Sequence, residues 1–192
     1  MDTALLLIDF INDIVAVNGK LAGRGYTDFA ARHGTLERLP ALLSQARRAG
    51  QLLVHVRVGF SPDYKEQPKD SPLFGHADKL GALQLGSWGT EFHPAAAPLP
   101  GEPVVVKHRV NAFFGTPLDS ILRCRGIRRL VVAGCSTDVG VQTTVRAAHD
   151  LDYACTVVGD CCIAPRDDDH EPTLRMLAKV ARVVSLDQLS AA

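Results

Sequence analysis

Charge of neither sign is in excess. The 192 residues include 21 Lys plus Arg and 21 Asp plus Glu, so no bulk field draws the chain to nucleic acid or to an anionic membrane. Long hydrophobic runs are also missing. The N-terminal run, Ala4 to Ile8, is far too short to span a bilayer or to form the apolar part of a secretion signal, and Asp2 precedes it where basic residues are needed. No membrane contact and a cytoplasmic location are the resulting expectations. Cysteine is sparse and poorly spaced for stapling. Cys124, Cys135, Cys155, Cys161 and Cys162 are odd in number and include an adjacent pair, which is no disulfide framework. Without a C-x-x-C a structural zinc site is not expected. No G-x-G-x-x-G joins a strand to a helix and there is no phosphate loop, which argues against a dinucleotide or nucleoside-triphosphate enzyme. Neither a metal nor an organic cofactor is expected.

What is present is an ordinary globular composition, with 46% hydrophobic residues, enough for one well-filled core but in a chain too short for two typical domains. No repeat or linker divides it, so residues 1–192 read as a single domain. Apolar runs alternate with segments of helical spacing. Ala4 to Ile8 reads as a central strand buried on both faces. Thr35 to Arg48 places Leu36, Leu39, Leu42, Leu43 and Ala46 on one side of a helix that Pro40 either starts or kinks. Gln51 to Val58 and Pro103 to Val106 read as strands, and His55, alternating with Val54 and Val56, as a satisfied sheet histidine. Thr116, Pro117 and Asp119 signal the start of a helix that Gly126 stops. A strand over 129–134, a helix over about 138–151, a strand from Tyr153 to Val158, an acidic helix start at Asp167–Asp169 and a short strand at Val183–Val184 complete the series. This pattern predicts a three-layer αβα sandwich around a mainly parallel, Rossmann-like sheet of about six strands. Residues 59–102 break the rhythm with six prolines and the single Trp88. A connection of that length is expected to be a functional loop or lid.

Polar residues gather where strands should end. Asp9 follows the first run, Lys107 the third. The stretch Gly134-Cys135-Ser136-Thr137-Asp138-Val139-Gly140-Val141 leaves a strand through three helix-capping residue types. In an open parallel sheet such positions share one edge, where ligands bind.

This stretch resembles the isochorismatase-like hydrolase superfamily, whose many amidase members show G-x-x-T-[DEN]-x-C-V. Gly134, Thr137, Asp138 and Val141 match. The resemblance covers nearly the whole chain and implies that Asp9 and Lys107 are the first two members of a catalytic triad. The third, the nucleophilic Cys, is replaced by Gly140. True isochorismatases also carry Gly there and cleave a vinyl ether without a covalent intermediate, but they carry a Tyr at the position of Ser136. The resemblance further implies a cis peptide at Cys135–Ser136 and a homo-oligomer, dimer or tetramer. Residues 109–116 resemble the family pattern of a basic residue, an aromatic, then Gly-Thr. The expected substrate-binding residues are therefore Cys135, Ser136, Thr137, Phe113 and, from the long segment, Trp88.

The expected activity is hydrolysis of a small, anionic metabolite with water as nucleophile. Asp9 serves as general acid or base, and Lys107 orients it and meets an anionic substrate group. Two other readings stand beside it. One is a catalytically silent binding or scaffold protein. The other is an amide hydrolase with a relocated thiol, Cys135 or Cys161.

Overall fold

The computed structural model describes residues 2–190. Its centre is a six-stranded parallel sheet of order β3-β2-β1-β4-β5-β6. The strands are β1 (Thr3–Ile8), β2 (Leu52–Val58), β3 (Val104–Lys107), β4 (Arg129–Cys135), β5 (Ala154–Ile163) and β6 (Arg182–Val184). Leu6 pairs with Val54 on one side and with Val132 on the other, so β1 is hydrogen-bonded along both edges.

Period-two alternation in β1 divides the core. Leu5 and Leu7 join one cluster with Leu39, Leu42, Leu43 and Ala46 of the helix Thr35–Arg48 and Phe29 of the helix Tyr26–His33. Ala4, Leu6 and Ile8 join the other, with Leu118 and Leu122 of a helix at Leu118–Cys124, Val145 and Ala148 of a helix at Gln142–Asp150, and Leu177 of a helix at Asp167–Leu177. Each fully buried Leu, Ile, Val or Phe side chain among them is worth about 1.5–3 kcal/mol over an exposed one. Together these layers give the αβα sandwich that the sequence pattern predicts.

Local differences from the sequence reading have physical reasons. The helix Thr35–Arg48 runs without interruption through Pro40, which lies on its exposed side, where a carbonyl deprived of its N–H partner can meet water. β5 continues to Ile163, well past Val158, because its pairing with β4 resumes after an irregularity between Val132 and Gly134. His55 is a sheet histidine as expected but is satisfied at Nε2 only, its buried Nδ1 having no hydrogen-bond partner among the described residues. Its Nε2 lies 2.9 Å from Glu102, which also accepts from the Arg47 guanidinium at 2.8 and 2.9 Å and from the Leu99 amide. Burial alone penalises the Glu102 anion, yet these donors bring its pKa down to about 2.

The 59–102 segment is packed onto the scaffold. Phe60, Phe74, Ala77, Ala82, Leu83 and Ala96 are buried in the core. The Tyr64 hydroxyl donates to the Ala82 carbonyl (2.9 Å), and the buried Asp13 carboxylate accepts from the Leu83 amide (2.7 Å). Ile11 bridges to Phe92, and Asn12 Nδ2 donates to the Trp88 carbonyl. No helix among the described residues is long and apolar enough to cross a membrane.

Candidate functional site

Sheet order places the site. β1 to β3 progress in one direction and β4 to β6 in the other, so the switch falls between β1 and β4, and the crevice opens beyond their C-terminal ends. Asp9, Lys107 and Cys135 all stand at those ends.

Asp9 has φ 58°, a left-handed conformation that costs a non-glycine residue on the order of 1–3 kcal/mol. Its N–H continues the ladder to the Val56 carbonyl (2.8 Å), while its carboxylate turns back over β2. Oδ1 accepts from the Val58 amide at 2.7 Å, and Oδ2 accepts from Lys107 Nζ at 2.7 Å. Lys107 Nζ also donates to the Arg109 carbonyl at 3.1 Å. Both side chains are buried. Burial raises the Asp9 pKa above the ordinary carboxylate value, and the opposing pull of Lys107 and the Val58 amide does not cancel it. The group thus holds a proton more readily than a surface carboxylate, as an acid or base working near neutral pH requires.

The other side of the crevice is the turn after β4. The Cys135–Ser136 peptide is cis. Residues Thr137–Val141 then form a π-helical turn before the helix Gln142–Asp150, a local widening common at functional sites. The amides of Val139 and Val141 both donate to the Ser136 carbonyl. A Cβ built on Gly140 lies 3.7 Å from Asp9 Oδ2 and 3.2 Å from the Cys135 carbonyl oxygen. Position 140 therefore faces the carboxylate, and the bare α-carbon leaves room beside Oδ2.

These groups lie in a pocket enclosing about 490 Å³, its open mouth included. Asp9, Lys107, Cys135, Ser136 and Gly140 line it. Ile14, Leu21, Val58, Val110 and Val139 form apolar wall, as do Leu73, Phe74 and Leu83 from the long segment. The other three residues expected at the substrate stand elsewhere. Trp88 lies in a short 3₁₀ turn outside the pocket wall with its side chain half exposed. Phe113 stacks on Tyr153 at 5.9 Å and packs against the second core cluster. The Thr137 hydroxyl is fully buried, donates to the Ile163 carbonyl (3.1 Å) and meets His170 Nδ1 at 2.9 Å, which fastens the π turn to the helix Asp167–Leu177. Nor do the capping residue types at 136–138 cap. The π turn begins with no side-chain cap bond; the Thr137 hydroxyl is engaged by Ile163 and His170, and the buried Asp138 Oδ1 has no hydrogen-bond partner among the described residues.

Two residues in the wall carry no strand-end signal, Arg24 and Tyr26. Tyr26 opens the helix Tyr26–His33 and faces the pocket across from Ser136. Burial above all, then Cys135 and Asp138, pushes its pKa up to about 12 against the pull of Arg24 and Ser136. Both candidate thiols are buried and hard to ionise. Cys135 lines the pocket but is 1% exposed, and burial raises its pKa well above that of a free thiol. Cys161 is fully buried in the first core cluster and is raised by the same cause. Among the described residues no three His, Cys, Asp or Glu side chains are grouped to hold a metal.

Gly140→Cys tests which way position 140 faces. A thiol there meets the start of a helical segment and lies near Lys107, both of which favour the thiolate, with Asp9 beside it to take the proton. Its alkylation by iodoacetamide at pH 7 is expected to be more than about tenfold faster than that of Cys124, the exposed native thiol. A rate equal to that of Cys124 means that position 140 does not share the crevice with Asp9.

The isochorismatase domain model matches residues 3–188 of this chain. The ureidoacrylate amidohydrolase RutB of Variovorax paradoxus (strain S110) is 32% identical over 171 residues, covering 83% of this chain and 68% of that protein. An isochorismatase family protein from Desulfovibrio vulgaris superposes with a TM-score of 0.86 and 30% identity, covering 100% of this chain and 99% of that one. N-carbamoylsarcosine amidase from Thermoplasma acidophilum superposes with a TM-score of 0.73 and 28% identity, covering 96% of each chain. With sequence, sheet order and domain match in agreement along almost the whole chain, the protein belongs to the isochorismatase family of hydrolases.

Proposed function

We propose that this protein hydrolyses a small metabolite by direct attack of water, with Asp9 moving the proton and no covalent enzyme intermediate. The observation that carries this reading is the position of the buried Asp9–Lys107 pair. The pair faces a glycine whose Cβ direction points to within 3.7 Å of Asp9 Oδ2. A water beside the Gly140 α-carbon can give a proton to Oδ2 as its oxygen bonds to the electrophilic carbon. Asp9 then returns the proton to the leaving atom as the scissile bond breaks, so the carboxylate is regenerated. Lys107 fixes the orientation of Asp9 and offsets its charge. Two of its three N–H donors are committed, to Asp9 and to the Arg109 carbonyl.

Relatives named for the hydrolysis of ureidoacrylate and of N-carbamoylsarcosine make the ureido C–N bond the first class to screen, with simple amides and enol ethers after it. The buried, pKa-raised Cys135 and Cys161 favour water over a relocated thiol as the nucleophile. The test is turnover of such a panel together with hydroxylamine trapping and iodoacetamide treatment. Turnover that survives thiol alkylation and yields no trapped acyl-enzyme is expected. Loss of activity on alkylation of Cys135 or Cys161 overturns the mechanism. Binding of panel members without turnover by the wild type moves the protein to the silent-binder reading.

A further inference from the structure

The charged groups of the pocket wall are Asp9, Lys107 and Arg24. The first two satisfy each other at 2.7 Å. Arg24 is exposed at the wall, and its guanidinium makes no hydrogen bond or ion pair among the described residues. Five N–H donors in a planar fork, unengaged at the edge of an otherwise mostly apolar pocket, match the two oxygens of a carboxylate.

The turn that presents Arg24 is tightly built. Arg24 ends a 3₁₀ turn at Ala22–Arg24, and Gly25 follows with φ 96°. A Cβ on Gly25 would lie 2.5 Å from the Pro165 carbonyl oxygen. Only glycine allows this approach, which fastens the Arg24–Tyr26 turn to the loop after β5. The next residue, Tyr26, and Ser136 both line the pocket, and each brings a hydroxyl able to donate to a ligand oxygen. Arg24 and this hydroxyl pair flank the same pocket that holds Asp9.

We propose that Arg24, assisted by the Tyr26–Ser136 hydroxyl pair, is a carboxylate-binding subsite, and that the substrate is a short monocarboxylate whose scissile group reaches Asp9. The assignment rests on the hydrolase reading above for its second half only. Carboxylate binding at Arg24 stands or falls by itself. It also moves recognition of the anion from Lys107, which has two of its three donors turned to Asp9 and the Arg109 carbonyl, to a cation with none of its donors engaged among the described residues. The apolar wall between suits a chain of a few carbons without further charge.

The experiment measures binding, so that it does not depend on turnover. The probes are straight-chain monocarboxylates of two to six carbons and ω-ureido carboxylates of the same lengths, each paired with its neutral primary amide. Calorimetric titration into wild-type protein is expected to favour at least one carboxylate over its amide by about tenfold to a hundredfold, the worth of a charge-assisted hydrogen bond. Arg24→Gln is expected to abolish that preference, Arg24→Lys to restore part of it, and Tyr26→Phe to weaken the carboxylate by a smaller factor. Because Arg24 is exposed and unpaired, its replacement leaves the core intact, which circular dichroism checks. Equal affinity for carboxylate and amide across the panel, or a preference that persists in Arg24→Gln, overturns the subsite. Turnover of neutral amides as fast as of the acids also overturns it while leaving the hydrolase reading in place. Carboxylate preference without any turnover supports the subsite and counts against the hydrolase mechanism.

Discussion

Asp9→Asn is expected to lower turnover of any substrate by about 10²- to 10⁴-fold, the usual contribution of a positioned acid–base group, while thermal unfolding remains cooperative. The asparagine keeps an oxygen for the Val58 amide but leaves the buried Lys107 ammonium without its counter-charge, so the variant is expected to be less stable yet folded. It cannot receive the proton of an attacking water. No second carboxylate lines the pocket to take over the role. The pH profile gives a second readout. If Asp9 acts on the free enzyme as a base, kcat/KM of the wild type rises with pH through an apparent pKa above the ordinary 3.8 of an aspartate, because burial raises this group. Asp9→Asn is expected to remove that limb. Steady-state kinetics from pH 4 to 9 measure both effects, and activity within a few-fold of wild type in Asp9→Asn removes Asp9 from the mechanism.

How much of this was legible in the chain depends on where each residue stands. Asp9 and Lys107 each close an apolar run, and in a parallel sheet the ends of such runs share one edge, so punctuation allows the two to converge, while their pairing in a site is what the family resemblance implies. Gly140 follows a strand and opens a helical pattern, which placed it at the same edge. The π turn was not visible, because one extra residue per turn leaves the apolar spacing of Val141, Val145 and Ala148 undisturbed. Arg24 and Tyr26 were missed for a different reason. They reach the pocket through the approach of Gly25 to the Pro165 carbonyl, a contact between segments about 140 residues apart that no local pattern encodes. The one available signal was a glycine between an arginine and a tyrosine, which many surface turns share. Trp88 shows the opposite error. The single Trp of a long proline-rich segment suggests a substrate contact, but it is the backbone of Trp88, held by Asn12, that joins the scaffold. The segment's contribution to the pocket comes instead from Leu73, Phe74 and Leu83.

The buried pair also makes a prediction about stability. Lys107→Met leaves the Asp9 carboxyl buried with the Val58 amide as its remaining donor. Breaking a buried pair from one side costs about 3–5 kcal/mol, because the surviving charge is uncompensated. The variant avoids part of that cost by protonating Asp9, and the sign of the pH dependence follows. A carboxyl whose pKa in the folded state lies above its unfolded value stabilises most fully below the unfolded value, near 3.8, and that contribution is lost as pH rises through the folded value. Wild-type Asp9 is already raised by burial, and losing Lys107 raises it further. Urea unfolding is therefore expected to show a gap between wild type and Lys107→Met that widens from pH 5 to pH 8. Asp9→Asn combined with Lys107→Met removes both charges and retains the oxygen for Val58. Its stability is expected to recover most of the loss and to keep a constant offset from wild type at the alkaline end of that range, above the folded pKa of Asp9. A Lys107→Met variant within about 1 kcal/mol of wild type at pH 8, or a double variant no better than the single one, would mean that Lys107 does not carry the charge that balances Asp9. The 2.7 Å contact would then have no part in holding the site together.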